Sequence, residues 1–169
     1  MNATDLAYLP EQPAHDHAIE AINEEAFGPG RFARAAQAIR DGGPHDRSLS
    51  FVALHGGNVI GSVRMTPVRA GEGSGHLLGP LAVMPAWKSK GVGRRLLAMA
   101  VEAARAAGSG VVVLVGDEPY YGPLGFRHLP FGQLAMPRPV DPARLLACEL
   151  VEGSASRLTG MLVHANQAR

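Results

Sequence analysis

The sequence predicts an α/β fold, a mixed sheet with helices on both faces, and three observations carry that prediction. An amphipathic run at 92–107 stands between two β-rich apolar runs, 76–85 and 110–116, so a helix crosses over between strands. "SLSFVALH" (48–55) and "VIGSVRMTPV" (59–68), joined by Gly56-Gly57-Asn58, have the composition of a β-hairpin. "GVVVLVG" (110–116) is continuously apolar, the pattern of a strand covered on both faces.

The remaining elements follow in chain order. "TDLAYL" (4–9) reads as a first strand ended by Pro10. Residues 15–28 place Ile19, Ile22 and Ala26 at helical spacing, with Gly28 as the stop. Residues 31–43 read as a second helix closed by glycines. The run at 76–85 contains Gly79-Pro80, and proline cannot donate to a central ladder, so an irregular, bulged strand is expected. Helix 92–107 has its apolar face on Leu96, Leu97, Ala100, Val101 and Ala104, and Gly108 ends it. Residues 117–126 start a short helix and leave through Gly125. Further strands are expected at 126–136, 144–151 and 158–164. The last, "LTGMLVH", would be an exposed apolar edge unless paired, which leads to the expectation of a homodimer.

With 169 residues, 46% of them hydrophobic, and no repeat or linker, the chain fits a single domain over 1–169. A net charge of +1 argues against a nucleic-acid or membrane partner across a whole face. The lone Cys148 has no disulfide partner and sits in an apolar strand pattern, so it reads as core in a reducing compartment. The N-terminus has no basic stretch followed by an apolar one, so no signal peptide is read and a cytoplasmic location is expected. His15 and His17 are too isolated for a metal site, and none is expected elsewhere.

Chemistry concentrates in "AVMPAWKSKGVGRRLL" (82–97). Lys88, Lys90, Arg94 and Arg95 surround Gly91 and Gly93 at the start of a helix, with no acidic residue between Glu72 and Glu102. Helix starts favour negative charge, so an anion from elsewhere is the expected occupant of this one, the alternative being a solvated basic turn whose glycines only redirect the chain. Glycines let the backbone approach that anion, and unpaired N–H groups point at it. The spacing matches neither a P-loop nor the dinucleotide fingerprint, which excludes ATP and nicotinamide dinucleotides as the expected ligand.

These residues resemble the GNAT superfamily of N-acetyltransferases. Lys88-Ser89-Lys90-Gly91-Val92-Gly93 is similar to the family's acyl-coenzyme A signature, Arg or Gln, two residues, Gly, one residue, Gly or Ala, with lysine in first place. "LAVMP" looks like the end of the family's strand four, and "YYGPLGF" matches its Tyr-x-x-x-Gly-Phe element. The resemblance spans about residues 76–128. It implies a mostly antiparallel central sheet of six to seven strands, splayed at strands four and five. Acetyl-coenzyme A is the implied co-substrate. Its pantetheine arm would pair with Leu81, Ala82 and Val83, and its pyrophosphate would sit on the turn of Lys88, Ser89, Lys90, Gly91, Val92, Gly93 and Arg94. An acceptor, a primary amine on a small molecule, would attack the thioester directly in a ternary complex, with Tyr121 as proton donor to the sulfur. Tyr120, offset by one residue, is the second choice. The general base stays open among His76, Asp117, Glu118 and water, because residues 77–83 carry no acid. That gap also keeps a second function in view, a coenzyme A-binding or acyl-sensing module with little turnover. Trp87 reads as packing; Glu24, Glu25 and Phe27 end the first helix, which in the family borders the acceptor cleft, and the two acids read equally well as attracting an amine or as a solvated helix face.

Overall fold

A computed structural model describes residues 5–167; Thr4 of the first expected strand lies outside them. The chain runs β1 (Leu6–Pro10), α1 (Asp16–Phe27), α2 (Ala35–Arg40), β2 (Phe51–His55), β3 (Asn58–Gly71), β4 (Gly73–Val83) and α3 (Val92–Ala106). It continues through β5 (Val111–Val115), α4 (Glu118–Tyr121), β6 (Arg127–His128), β7 (Leu134–Ala135), β8 (Leu145–Glu149) and β9 (Leu158–His164). The sheet order is β1-β2-β3-β4-β5-β8-β6, with β9 paired to β3 and β7. Pairing is antiparallel except for β4 with β5 and β7 with β9.

Alternation along the central strands divides the core in two. Leu78, Val112 and Leu114 pack with Leu96, Leu97 and Ala100 of α3 on one face. Leu77, Val111 and Val113 pack with Ile39 of α2 and with Leu158 and Leu162 of β9 on the other. Helices therefore cover both faces, as the apolar run 110–116 required.

The bulge expected at Gly79-Pro80 is present. Val63 faces Leu81 and Met65 faces Leu78, so β4 carries one residue more than β3 across that interval. Below the bulge β4 pairs with β5 at His76–Val112 and Leu77–Val113. Above it the two strands part, and Leu81–Val83 keep partners only on the β3 side.

Several expectations need correction. The second helix is shorter than 31–43: Pro29–Ala33 form a 3-10 turn, and Arg34 is extended (φ −73°, ψ 148°), so α2 starts at Ala35. The strand expected at 126–136 is two short pieces, β6 and β7, separated by the Pro130-Phe131-Gly132 turn. β9 is no free edge: it has β3 on one side and β7 on the other. The edge argument for a homodimer therefore does not apply to it.

The start of α1 is tied to the sheet through a buried carboxylate. Glu11, 3% exposed, meets Nε of Arg64 at 2.6 Å, Nε2 of His45 at 2.6 Å and Nη1 of Arg47 at 3.2 Å. Both arginines also reach Asp16 at the first turn of α1. Burial pushes the Glu11 carboxyl up, but hydrogen bonds from His45 and Arg64 outweigh it and hold the group below its usual 4.5. A depressed carboxylate stabilises the fold fully above its unfolded pKa, and that contribution is lost as pH falls through the lower folded value. Glu11→Gln, which takes the carboxylate from His45 and leaves Arg47 and Arg64 with Asp16 alone, is expected to cost about 3 kcal/mol at neutral pH. The gap from wild type should then narrow below pH 4.5. Urea unfolding across that window is the check; parallel pH dependences in the two proteins would remove Glu11 as the source.

Candidate active site

The parting of β4 and β5 opens a cleft of about 1000 Å³. One wall is the strand edge Leu78–Val83; opposite are Leu114, Val115, Gly116 and the short α4 with Tyr120 and Tyr121. At one end lie Lys88, Ser89 and Gly93; at the other, residues of α1, α2 and the loops that follow them.

At the turn, no side chain caps α3, whose first amide bond runs from Arg95 N–H to the Gly91 carbonyl at 3.0 Å. The amides before it face outward from the helix start and suit an anion. The two glycines serve different needs. Gly91 is left-handed (φ +85°) with open space around it, so its requirement is conformational. Gly93 has no such φ, but a Cβ there would sit 3.1 Å from Tyr120 Oη and 3.7 Å from Val83, inside the cleft. Of the expected turn residues, Lys88, Ser89 and Gly93 line the cleft, as do Leu81, Ala82 and Val83. Lys90 and Arg94 are exposed beside it, and Val92 is core, 1% exposed. The Arg94 guanidinium lies over the Tyr120 ring at 5.0 Å, and that of Arg95 over Tyr8 at 5.4 Å.

Tyr121 lines the cleft half-buried, edge-on to Tyr120 at 4.8 Å and to Phe126 at 6.0 Å. Its ring lies against Gly116, where a side chain would collide with it. Burial, then the neighbouring Tyr120 and Asp117, push its phenol up, so it stays protonated at neutral pH. Of the groups left open as base, His76 is outside the cleft, bonded to Ser109 Oγ at 2.8 Å, with burial lowering its pKa. Glu118 accepts the His128 amide at 3.1 Å. Asp117 lines the cleft and pairs with Arg144 at 3.1 Å. Trp87 is buried against His55, and Cys148 is buried with its thiol pushed up by burial.

Sequence reasoning reached Phe27 on the far wall and missed the rest of it. Glu24 and Glu25 are exposed outside the lining, while Glu20, Asn23 and Phe27 from the same helix contribute to it. Arg31, Arg34, Arg40, His45 and Arg64 also line it. They come from segments whose helical or turn patterns say nothing about what faces β4. Only the cluster of arginines between residues 31 and 47 was there to be noticed.

Comparison with known proteins agrees with this geometry. The family model described as "Acetyltransferase (GNAT) family" matches residues 16–126. The chain is 29% identical over 150 residues to the uncharacterized N-acetyltransferase YjhQ of Escherichia coli, covering 84% of this chain and 82% of that protein. Among solved structures, the Escherichia coli GNAT N-acetyltransferase YhbS in complex with CoA superposes with a TM-score of 0.79 at 23% identity, over 95% and 89% of the two chains. A Brucella melitensis GNAT acetyltransferase in complex with acetyl-CoA gives 0.60 at 28% identity, over 84% and 94%. Among the described residues no helix is long and apolar enough to cross a membrane. With the family model covering well over half its length, and with the splayed sheet and the turn in their places, this chain belongs to the acetyltransferase (GNAT) family.

Proposed function

We propose that the chain moves the acetyl group of acetyl-coenzyme A to the primary amine of a small-molecule acceptor, by direct attack in a ternary complex. One observation carries this reading: a single cleft joins an anion-ready turn, an unpaired strand edge and a half-buried phenol. The pyrophosphate would be held by the amides of residues 88–94, with Lys88 and Arg94 alongside. The backbone of Leu81, Ala82 and Val83 offers hydrogen bonds to an extended arm, since those residues lack a partner on the cleft side. Relatives solved with CoA and with acetyl-CoA support this choice of ligand.

The chemistry asks little of the protein beyond positioning. The amine's lone pair forms a bond to the thioester carbonyl carbon, the carbon–sulfur bond breaks, and the Tyr121 hydroxyl donates its proton to the departing sulfur. An amine that arrives unprotonated needs no dedicated base: its surplus proton passes to solvent in the open cleft, and solvent returns one to the Tyr121 phenolate, so no net proton is gained or lost. A cleft of this size admits a small acceptor beside the pantetheine arm. Free-thiol release from acetyl-coenzyme A with a panel of primary amines, measured beside an acetyl-coenzyme A binding isotherm, is the test. Turnover with at least one small amine is expected. Tight binding with no turnover on any acceptor would replace this reading with that of an acyl-coenzyme A sensor.

A further inference from the structure

The acceptor end of the cleft has more cation than it can neutralise from within. Arg31 is paired with Glu20, Arg64 with Glu11 and Asp16, and Arg144 with Asp117. Among the described residues, Arg40 has no carboxylate within ion-pair distance. Its Nε is buried and, among the described residues, without a hydrogen-bond partner, and its side-chain hydrogen bond there is a long 3.4 Å one from Nη1 to Gln37 Oε1. Its Nη2 lies against Gly79, where a Cβ would come within 2.8 Å. Burial and the nearby Arg34 and Arg64 push the guanidinium down to about 10, with Asp41 opposing. A buried guanidinium without a counter-ion is costly, and a bound anion removes that cost. A second orphan lines the same cleft: Asn23, 4% exposed, has an unpartnered buried Oδ1, an acceptor atom.

The geometry points to an acceptor that is both amine and anion, a small amine bearing a carboxylate or phosphate that Arg40 binds while Asn23 accepts a hydrogen bond from its nitrogen. Arg40 is not a further ligand for the pyrophosphate. Gly79 lies four residues along β4 from Val83, one of them taken up by the bulge, which puts it roughly 10 Å from the turn's end of the strand at ~3.3 Å per residue. The planar guanidinium suits the bidentate recognition such groups require. This inference rests on the proposed acetyl transfer, but its binding arm can be read without turnover.

The test uses matched acceptors on the full-length protein: β-alanine against its carboxamide, and O-phosphoethanolamine against ethanolamine. Wild type is expected to show a higher kcat/KM for one or both anionic members than for their neutral counterparts. Arg40→Gln should lower kcat/KM for the preferred anion by ~10–100-fold, mainly through KM, and affect the neutral amine much less. Arg40→Lys, which keeps the charge and guards against a folding artefact, should fall between. Titration of the same anionic amines into the protein–coenzyme A complex reports Arg40-dependent binding independently. Arg40-dependent binding without turnover would overturn the transferase reading and leave the anion site standing. Equal use of charged and neutral amines by wild type would overturn the anion site, as would an equal loss on both in Arg40→Gln, which would place Arg40 on the thioester instead. The preferred pair tells carboxylate from phosphate.

Discussion

Tyr121→Phe is expected to lower kcat by ~10²–10⁴-fold, the usual worth of a positioned acid, while acetyl-coenzyme A affinity stays nearly unchanged. Phenylalanine keeps the ring and therefore the packing that holds α4: the edge contacts with Tyr120 and Phe126 and the seat over Gly116. Only the proton is lost. The phenol's pKa is raised by burial, so wild type holds that proton throughout the neutral range and the deficit should not depend on pH there. Tyr120→Phe is the paired comparison. The Tyr120 hydroxyl lies beside Gly93 and its ring beneath Arg94, so its loss should be read in acetyl-coenzyme A affinity more than in turnover. Steady-state kinetics with a competent acceptor, beside calorimetric titration of both variants, separates the two. A wild-type kcat in Tyr121→Phe would reject the acid role and leave the ring as packing.

Gly93→Val is expected to nearly abolish acetyl-coenzyme A binding, whereas Lys88→Ala and Arg94→Ala each leave measurable affinity. A Cβ at Gly93 already meets Tyr120 at 3.1 Å, and the valine methyls extend further into the cleft. Several amide bonds to phosphate then fail together, each worth ~1.5–3 kcal/mol, and two such losses amount to roughly 10²–10⁴-fold in affinity. Lys88 and Arg94 are exposed, so removing one charge costs only about 1 kcal/mol or less. Gly91→Val is predicted to fail for a different reason. It has room for a side chain but not the conformation for one, so its loss should appear in stability as well as in binding. The measurement is calorimetry on variants shown to be folded by circular dichroism. If folded Gly93→Val binds like wild type while Lys88→Ala does not bind, the side-chain cations and not the backbone hold the ligand.

The anion-ready turn, the crossover helix and the strand after it were legible because each is written in a short window. Leu96, Leu97, Ala100, Val101 and Ala104 repeat at helical spacing, residues 111–115 are apolar without interruption, and Gly91 and Gly93 stand where the helix begins. The bulge at Gly79-Pro80 was legible for the same reason, since a missing N–H is a property of the residue itself. Tertiary structure alone decided what depends on which distant segment comes close. The apolar runs 59–68 and 76–85 stop short of the strands they belong to: β3 continues to Gly71 and β4 starts at Gly73, and Gly73 lies so close to the backbone of Arg157 and Leu158 that a side chain there would collide. The segment 158–164 looks like a free edge, yet it lies between β3 and β7. Arg40 and Asn23 sit on separate helices with no shared motif, and only the packing of α1 and α2 against the sheet puts them on one wall. Periodicity within a window sets an element's type and its buried face. Long-range pairing and close approach set its neighbours, and the acceptor wall is made of neighbours.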